Sequence, residues 1–280
     1  MAQRLRGLDG LRGIAVAAVV LYHFDVPWIP GGFLGVDIFF VISGFIITTL
    51  LLEEVEREQQ IRLRAFYARR ARRLLPTLLA MMSVAVIACG LWATDASASL
   101  RSDIPWALAF GVNWSAIAMQ RSYFVAMSRP PVLEHLWSLA IEEQFYIVWP
   151  GALLVMLRLR NTLAQSWVTV RGLVFLVSAF GAAASTWRMH SVALAAGMPV
   201  PTDPTRAYFG TDTHSMSLLV GCAVAALWHR EQFAQWLAPR TVRAWDALGV
   251  AALAAVVITM VTVTELLASN YLIVNSFESS

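Results

Sequence analysis

The chain has 280 residues, 58% hydrophobic and 14% charged, with a formal net charge of +3. An average soluble domain carries about 25% charged and 45–50% apolar residues, so a globule this apolar could not cover itself with polar surface. An ordinary water-soluble enzyme, a secreted disulfide scaffold and a disordered chain are excluded, and the chain reads as a membrane protein.

A spanning helix needs about 20 mostly apolar residues. In chain order the candidates are Gly13–Ile29, Phe33–Leu52, Leu74–Thr94, Ile104–Gln120, Leu136–Leu157, Gly172–Trp187, Ser215–Trp228 and Ala247–Thr264. A further apolar stretch, Leu266–Phe277, follows Glu265. The first run is not a signal peptide: it carries Arg12, His23 and Asp25, lacks a clear cleavage site, and equally apolar runs follow. Arginines crowd the N-terminus and the Glu53–Arg73 segment, read as an inner loop, which places both in the cytoplasm. The run Ile104–Gln120 contains Pro105, Gly111 and Asn113, and the arginine balance improves if it does not cross. The expectation is an all-α polytopic bundle of seven or eight spans, one of them partial, in a single domain over residues 1–280.

All the basic residues are arginine, and they cluster between apolar runs rather than along one soluble face. That distribution argues against nucleic acid as a partner and for membrane lipids. Cys89 and Cys222 each sit inside an apolar run and read as small hydrophobes. No metal is expected, since no zinc-ligand pair appears.

Charged groups inside apolar spans are costly and mark candidate sites. Arg12 and His23 are eleven residues apart, which returns a helix to within roughly 20° and places them about 16 Å apart on one face. Histidine suits proton transfer near neutral pH. A structural histidine bonded to a carbonyl is an equally weighted reading. Asp37, early in the second run, is placed to orient His23, because the short link makes the two runs antiparallel neighbours. The bland alternative is that it marks the membrane interface or pairs with an arginine. Ser43 and Gly44 read as small residues for close helix packing.

The segment FYARRARRLLP holds Arg69, Arg70, Arg72 and Arg73 ahead of a span opening near Pro76. Guanidinium forks bind phosphate in bidentate fashion, although a positive-inside cluster needs no such role. In HLWSLAIEEQFYIVWP, Glu142 and Glu143 interrupt an apolar run and are followed by Gln144 and Tyr146. Consecutive helical positions point about 100° apart, so one glutamate can face a cavity while the other pairs or caps. A structural ion pair with an arginine is the bland alternative. YFGTDTHSMSLLVG places Asp212 and His214 at the start of another span.

GLDGLRGIAVAAVVLYH, GVDIFFVISGFIIT, FYARRARRLLP and HLWSLAIEEQFYIVWP occur in the order found in the acyltransferase 3 family of membrane O-acyltransferases. The resemblance runs from about Leu5 to Gly221. It implies a membrane domain, commonly of about ten spans, that moves an acetyl or other short acyl group from cytoplasmic acyl-CoA. The acceptor is a hydroxyl of a surface carbohydrate or glycolipid, and no bound cofactor is implied. Arg12 and His23 match the family's arginine–histidine motif, Arg70 and Arg73 its RxxR element with Arg69 beside them. Glu142, Glu143, Gln144 and Tyr146 match its EQFY-type segment. His23 is then the expected general base, with Asp37, Glu142 and Glu143 as acid–base partners. Arg12, Arg69, Arg70, Arg73, Gln144, Tyr146 and His214 are expected to bind substrate, though relatives often carry arginine where His214 stands. The chain is short for such a domain, which suggests a C-terminal truncation, and it shows no soluble esterase-like domain. Two other readings fit the same residues: a proton-coupled exporter of a glycan or lipid, and a non-catalytic partner subunit.

Overall fold

A computed structural model of the chain describes residues 6–93, 96–120, 131–162, 169–196, 205–228 and 239–262. Among them the fold is entirely helical. The helices are α1 (Arg6–His23), α2 (Gly35–Glu58), α3 (Leu63–Trp92), α4 (Ser97–Leu108), α5 (Val112–Ala118) and α6 (Leu136–Thr162). They continue with α7 (Val170–Ala195), α8 (Thr205–Phe209), α9 (Thr211–Leu227) and α10 (Pro239–Thr262). A 3₁₀ turn, Gly32–Leu34, leads into α2.

Among the described residues, four helical stretches are long and apolar enough to cross a membrane: Gly32–Glu58, Leu63–Trp92, Leu136–Asn161 and Val170–Ala195. Shorter or more charged helices accompany them. Helix α1 has 18 residues and carries Arg6, Asp9 and Arg12, and α9 has only 17. Ile104–Gln120 is not one helix but parts of α4 and α5, broken at residues 109–111. The stretch Leu266–Phe277 lies outside the described residues. In α3, Leu79, Val84, Ile87 and Leu91 are more than half exposed, as are Leu176 and Phe180 in α7. Outward apolar surface of that extent is stable only against lipid or another apolar partner.

Two compact units divide the chain. The first comprises residues 1–50, 174–179 and 217–280. Within it α1 and the start of α2 run antiparallel, as the short link predicts. The stripe Ala15, Ala18, Val19 and Tyr22 recurs at helical spacing and receives two glycines. A Cβ on Gly32 would overlap the Ala18 carbonyl, and one on Gly35 the Ala15 carbonyl. One turn further on, the Arg12 guanidinium lies 4.6 Å from the Phe39 ring centroid. Helix α9 runs beside α2 in the same sense, and the two cross at paired glycines. A Cβ on Gly44 would overlap the Leu218 carbonyl, and one on Gly221 the Val41 carbonyl. The reading of Gly44 as a packing residue holds.

The second unit comprises residues 51–173 and 180–216. Its core includes Leu78, Met82 and Cys89 of α3, Leu100 and Ala107 of α4, Val112 of α5 and Leu136 of α6. The arginine-rich segment is not a loop. Residues 53–58 finish α2 and residues 63–73 begin α3, so only residues 59–62 link them. Helix α3 starts at Leu63 and runs through Pro76 rather than opening there.

Candidate active site

In the first unit His23 is the last residue of α1. The helix closes on a Schellman pair, in which the Val26 amide donates to Leu21 O and the Asp25 amide to Tyr22 O. Asp25 supplies the left-handed residue, with φ of 51°. The His23 ring is exposed, and its Nδ1 lies 2.8 Å from Val19 O. A carbonyl only accepts, so this bond puts the proton on Nδ1, and in the neutral ring Nε2 carries the lone pair. Tyr22 meets the imidazole edge-on with centroids 5.5 Å apart. Asp37, expected to orient that ring, has a described partner on α9. Its Oδ1 accepts from Ser217 Oγ of α9 at 2.7 Å, across the α2–α9 crossing.

In the second unit α3 and α6 bring four of the expected residues together. Arg70 Nε donates to Glu143 Oε1 and Oε2 at 3.1 and 2.9 Å, and Nη2 also bonds Oε1. The guanidinium carbon lies 3.4 Å from the Tyr146 ring centroid. Tyr146 in turn donates its hydroxyl to Glu142 Oε1 at 2.9 Å. A fork bonded on its edge and covered on its face by an aromatic ring is fixed in orientation. Glu142 and Glu143 are both buried, each 4% exposed. The expected division of labour is altered: Glu143 both pairs with the arginine and lines a cavity, and Glu142 serves the tyrosine. That cavity, about 210 Å³, is walled by Tyr67, Leu74 and Ile147 together with Arg70, Glu143 and Tyr146. Arg69 and Arg73 stand on the same helix and are exposed.

Gln144 belongs to a different constellation. Its Nε2 donates to Phe110 O at 2.6 Å and to Asn113 Oδ1 at 3.0 Å. Its Oε1 accepts from Thr211 Oγ1 at 2.6 Å and from Trp114 Nε1 at 3.2 Å. Asn113, fully buried, donates onward to Phe209 O and Thr211 Oγ1. Phe110 explains why the amide is needed. It is the left-handed residue of the Schellman turn that ends α4, with φ of 52° and the Gly111 amide bonded to Trp106 O. A non-glycine residue there costs about 1–2 kcal/mol, and Gln144 bonds its carbonyl. Gln144→Leu strands these groups, at about 1–3 kcal/mol for each one buried. The purified protein should melt at a lower temperature in mild detergent; an unchanged melting curve would show that the network adds no net stability.

His214 is buried, with Trp137 and Tyr208 edge-on to its ring at centroid distances of 5.4 Å each. It is packed among aromatics, away from the Arg70 cluster's described contacts. Asp212 accepts two bonds from Arg206, at 2.9 and 2.8 Å, and one from Arg188 Nε at 3.1 Å. It stands ahead of the apolar run at Ser215. Burial pushes its carboxyl up, but the two arginines outweigh this and hold it below the usual carboxylate range. The pairing is thus in place at neutral pH and is lost only as pH falls through that depressed value.

Sequence reasoning missed Asn113, Thr211, Tyr67, Arg188 and Arg206 as members of these clusters. Asn113 inside an apolar run was the one visible signal. The arginines showed none, since nothing local pairs residue 188 with residue 212.

The acyltransferase 3 family model, described as an acyltransferase domain, matches residues 5–277. Peptidoglycan O-acetyltransferase OatA of Listeria monocytogenes serovar 1/2a is 42% identical over 223 residues, which cover 79% of this chain and 33% of that protein. YrhL of Bacillus subtilis (strain 168) is 42% identical over 222 residues, with the same shares. The chain spans about a third of the length of these relatives. No solved structure is a significant match. With the ordered motifs and a family match over almost its whole length, the chain belongs to the acyltransferase 3 family.

Proposed function

We propose that this chain transfers an acetyl or other short acyl group from acyl-CoA to a hydroxyl of a cell-wall carbohydrate of the peptidoglycan type. The observation that carries the reading is the Nδ1 bond of His23 to Val19 O, which leaves Nε2 as the basic nitrogen of an exposed ring. His23 Nε2 takes the proton of the acceptor hydroxyl as its oxygen attacks the thioester carbonyl. The tetrahedral intermediate collapses with cleavage of the C–S bond. The CoA sulfur leaves and regains a proton from the imidazolium, which returns the ring to its neutral form.

Arg12 lies on the same helix face about 16 Å away, a separation that suits an extended donor arm lying along α1. Arg69, Arg70 and Arg73 are the proposed phosphate ligands of the donor. Their clustering with the N-terminal arginines supports a cytoplasmic N-terminus in a bacterial plasma membrane. Similarity to OatA supports the carbohydrate acceptor.

A second reading, a proton-coupled carrier, draws on the Arg70–Glu143 pair set in two long apolar helices. Membranes containing the chain, supplied with labelled acetyl-CoA and cell-wall glycan, separate the two. Release of CoA thiol matched by label in glycan is expected of the transferase. Glycan movement without thiol release would sink it in favour of the carrier.

A further inference from the structure

Helix α7 carries an arginine at each end of its apolar stretch. Arg171 pairs with Glu56 Oε1 at 2.6 Å, in the last turn of α2 and just before the arginine-rich start of α3. Residues 172–187 are uncharged, and Arg188 follows them. At 1.5 Å per residue the two arginines stand about 25 Å apart along the axis, near the thickness of a bilayer's hydrocarbon core. With the arginine-rich segment in the cytoplasm and a surface carbohydrate as acceptor, the reading on which this inference rests, Arg188 lies at the outer face where that carbohydrate arrives.

Ser185, one turn earlier, donates to Asp212 O at 2.7 Å and to Thr213 O at 3.2 Å, which ties this end of α7 to the start of α9. Asp212 takes Nη1 and Nη2 of Arg206 and also Nε of Arg188. Gly210 makes the room: a Cβ there would overlap Arg206 Nη1, Thr213 Oγ1 and Asp212 Oδ1. One carboxylate thus serves two cations, and no other acid bonds either arginine among the described residues. Arg206 spends two of its five N–H groups in these bonds and Arg188 one. Their side chains are 31% and 55% exposed. A positive charge and several donors are left over, in forks already oriented by Asp212. Beside them stands Trp114, 38% exposed, with its ring centroid 5.4 Å from the Arg206 guanidinium and its Nε1 bonded to Gln144. The negative face of an indole attracts the polarised C–H bonds of a sugar ring.

We propose that Arg188, Arg206 and Trp114 form a subsite for an acidic acceptor glycan, in which the two forks bind a carboxylate carried directly by a sugar and the indole packs against its ring. Asp212 keeps its three bonds and holds both guanidinium groups in place, so the ligand adds to the cluster and displaces nothing. An anchor of this kind fixes a glycan by one sugar and leaves its other rings for the chemistry.

The test is calorimetry on the full chain in phosphatidylcholine nanodiscs, without acetyl-CoA. It compares the disaccharide N-acetylglucosaminyl-N-acetylmuramic acid with the same disaccharide whose lactyl carboxylate is capped as an amide. Wild type should bind the acid about tenfold more tightly, the difference made by a charge-assisted contact to the forks. Arg188→Gln should bring that ratio close to one while the amide still binds, which also reports a folded subsite. Arg188→Lys keeps the charge and should restore part of the ratio. Equal affinity of wild type for acid and amide, or binding of neither, overturns the subsite. A preference for the acid that survives in both Arg188→Gln and Arg206→Gln takes it away from these arginines. Arg188-dependent immobilisation of added phosphatidylglycerol that the acid disaccharide does not relieve assigns the forks to a lipid phosphate and overturns the sugar as their ligand. Labelled acetyl-CoA and cell-wall glycan, supplied to the same nanodiscs, read the transferase separately. No acyl transfer beside an intact, Arg188-dependent preference sinks the transferase and leaves the subsite standing; transfer without any such preference does the reverse.

Discussion

Alanine at position 23 should lower acyl transfer by about 10²–10⁴-fold, the usual contribution of a positioned general base. The chain itself should stay folded, because His23 ends α1 with an exposed ring. The Schellman turn that holds this end is made by backbone groups of residues 21, 22, 25 and 26 and survives the substitution. Thiol release from acetyl-CoA and label transfer to glycan give the rate, and gel filtration in mild detergent reports the fold. Added imidazole should recover part of the lost rate in His23→Ala, as a free base entering the vacated space. A structural histidine would give neither the large rate loss in a folded protein nor the rescue. Equal transfer by the two proteins removes His23 from the chemistry.

The largest effect on stability is expected at the α2–α9 crossing. Gly44→Ala and Gly221→Ala each place a methyl group against a backbone carbonyl of the facing helix, Leu218 and Val41 respectively. A flexible side chain could turn aside, but a carbonyl moves only with its helix. Overpacking usually costs about 1–3 kcal/mol, occasionally more, and a backbone clash belongs at the upper end. Separation of the helices would also weaken the Asp37–Ser217 bond and the contact between Cys222 Sγ and Gly44 O. The control has the opposite sign. Gly90 and Gly151 lie in helices where an added Cβ meets nothing within 4 Å, so alanine there should stabilise by about 0.5–1 kcal/mol. Melting in mild detergent should move down for the first pair and up for the second. Similar shifts in all four variants would mean that the crossing tolerates separation.

The sequence by itself determined the class, the family and most of the chemistry on offer. A chain 58% hydrophobic and 14% charged has to place apolar surface against lipid, and hydropathy is additive along the chain, so the long helices α2, α3, α6 and α7 are all visible in it. The eleven-residue spacing of Arg12 and His23 is likewise a property of one helix, fixed by its own periodicity. The antiparallel pairing of α1 and α2 followed from a link too short to allow anything else. What lies far apart in sequence was not legible.

Tertiary packing alone decided that Glu143, and not Glu142, meets Arg70, since that choice depends on the rotation of α6 against α3. It also joined Gln144 to Asn113 and Thr211, gave Asp37 to Ser217, and put two arginines on Asp212. Hydropathy could not show that the arginines of residues 64–73 sit on α3 itself. A charged amphipathic turn and an apolar span join without a break when backbone bonds continue through both, and a proline in the apolar part need not end the helix. Nor could it show that residues 104–120 bend at Phe110. That bend depends on a left-handed residue whose carbonyl is bonded by a side chain 34 positions later, a partner that only the folded chain supplies.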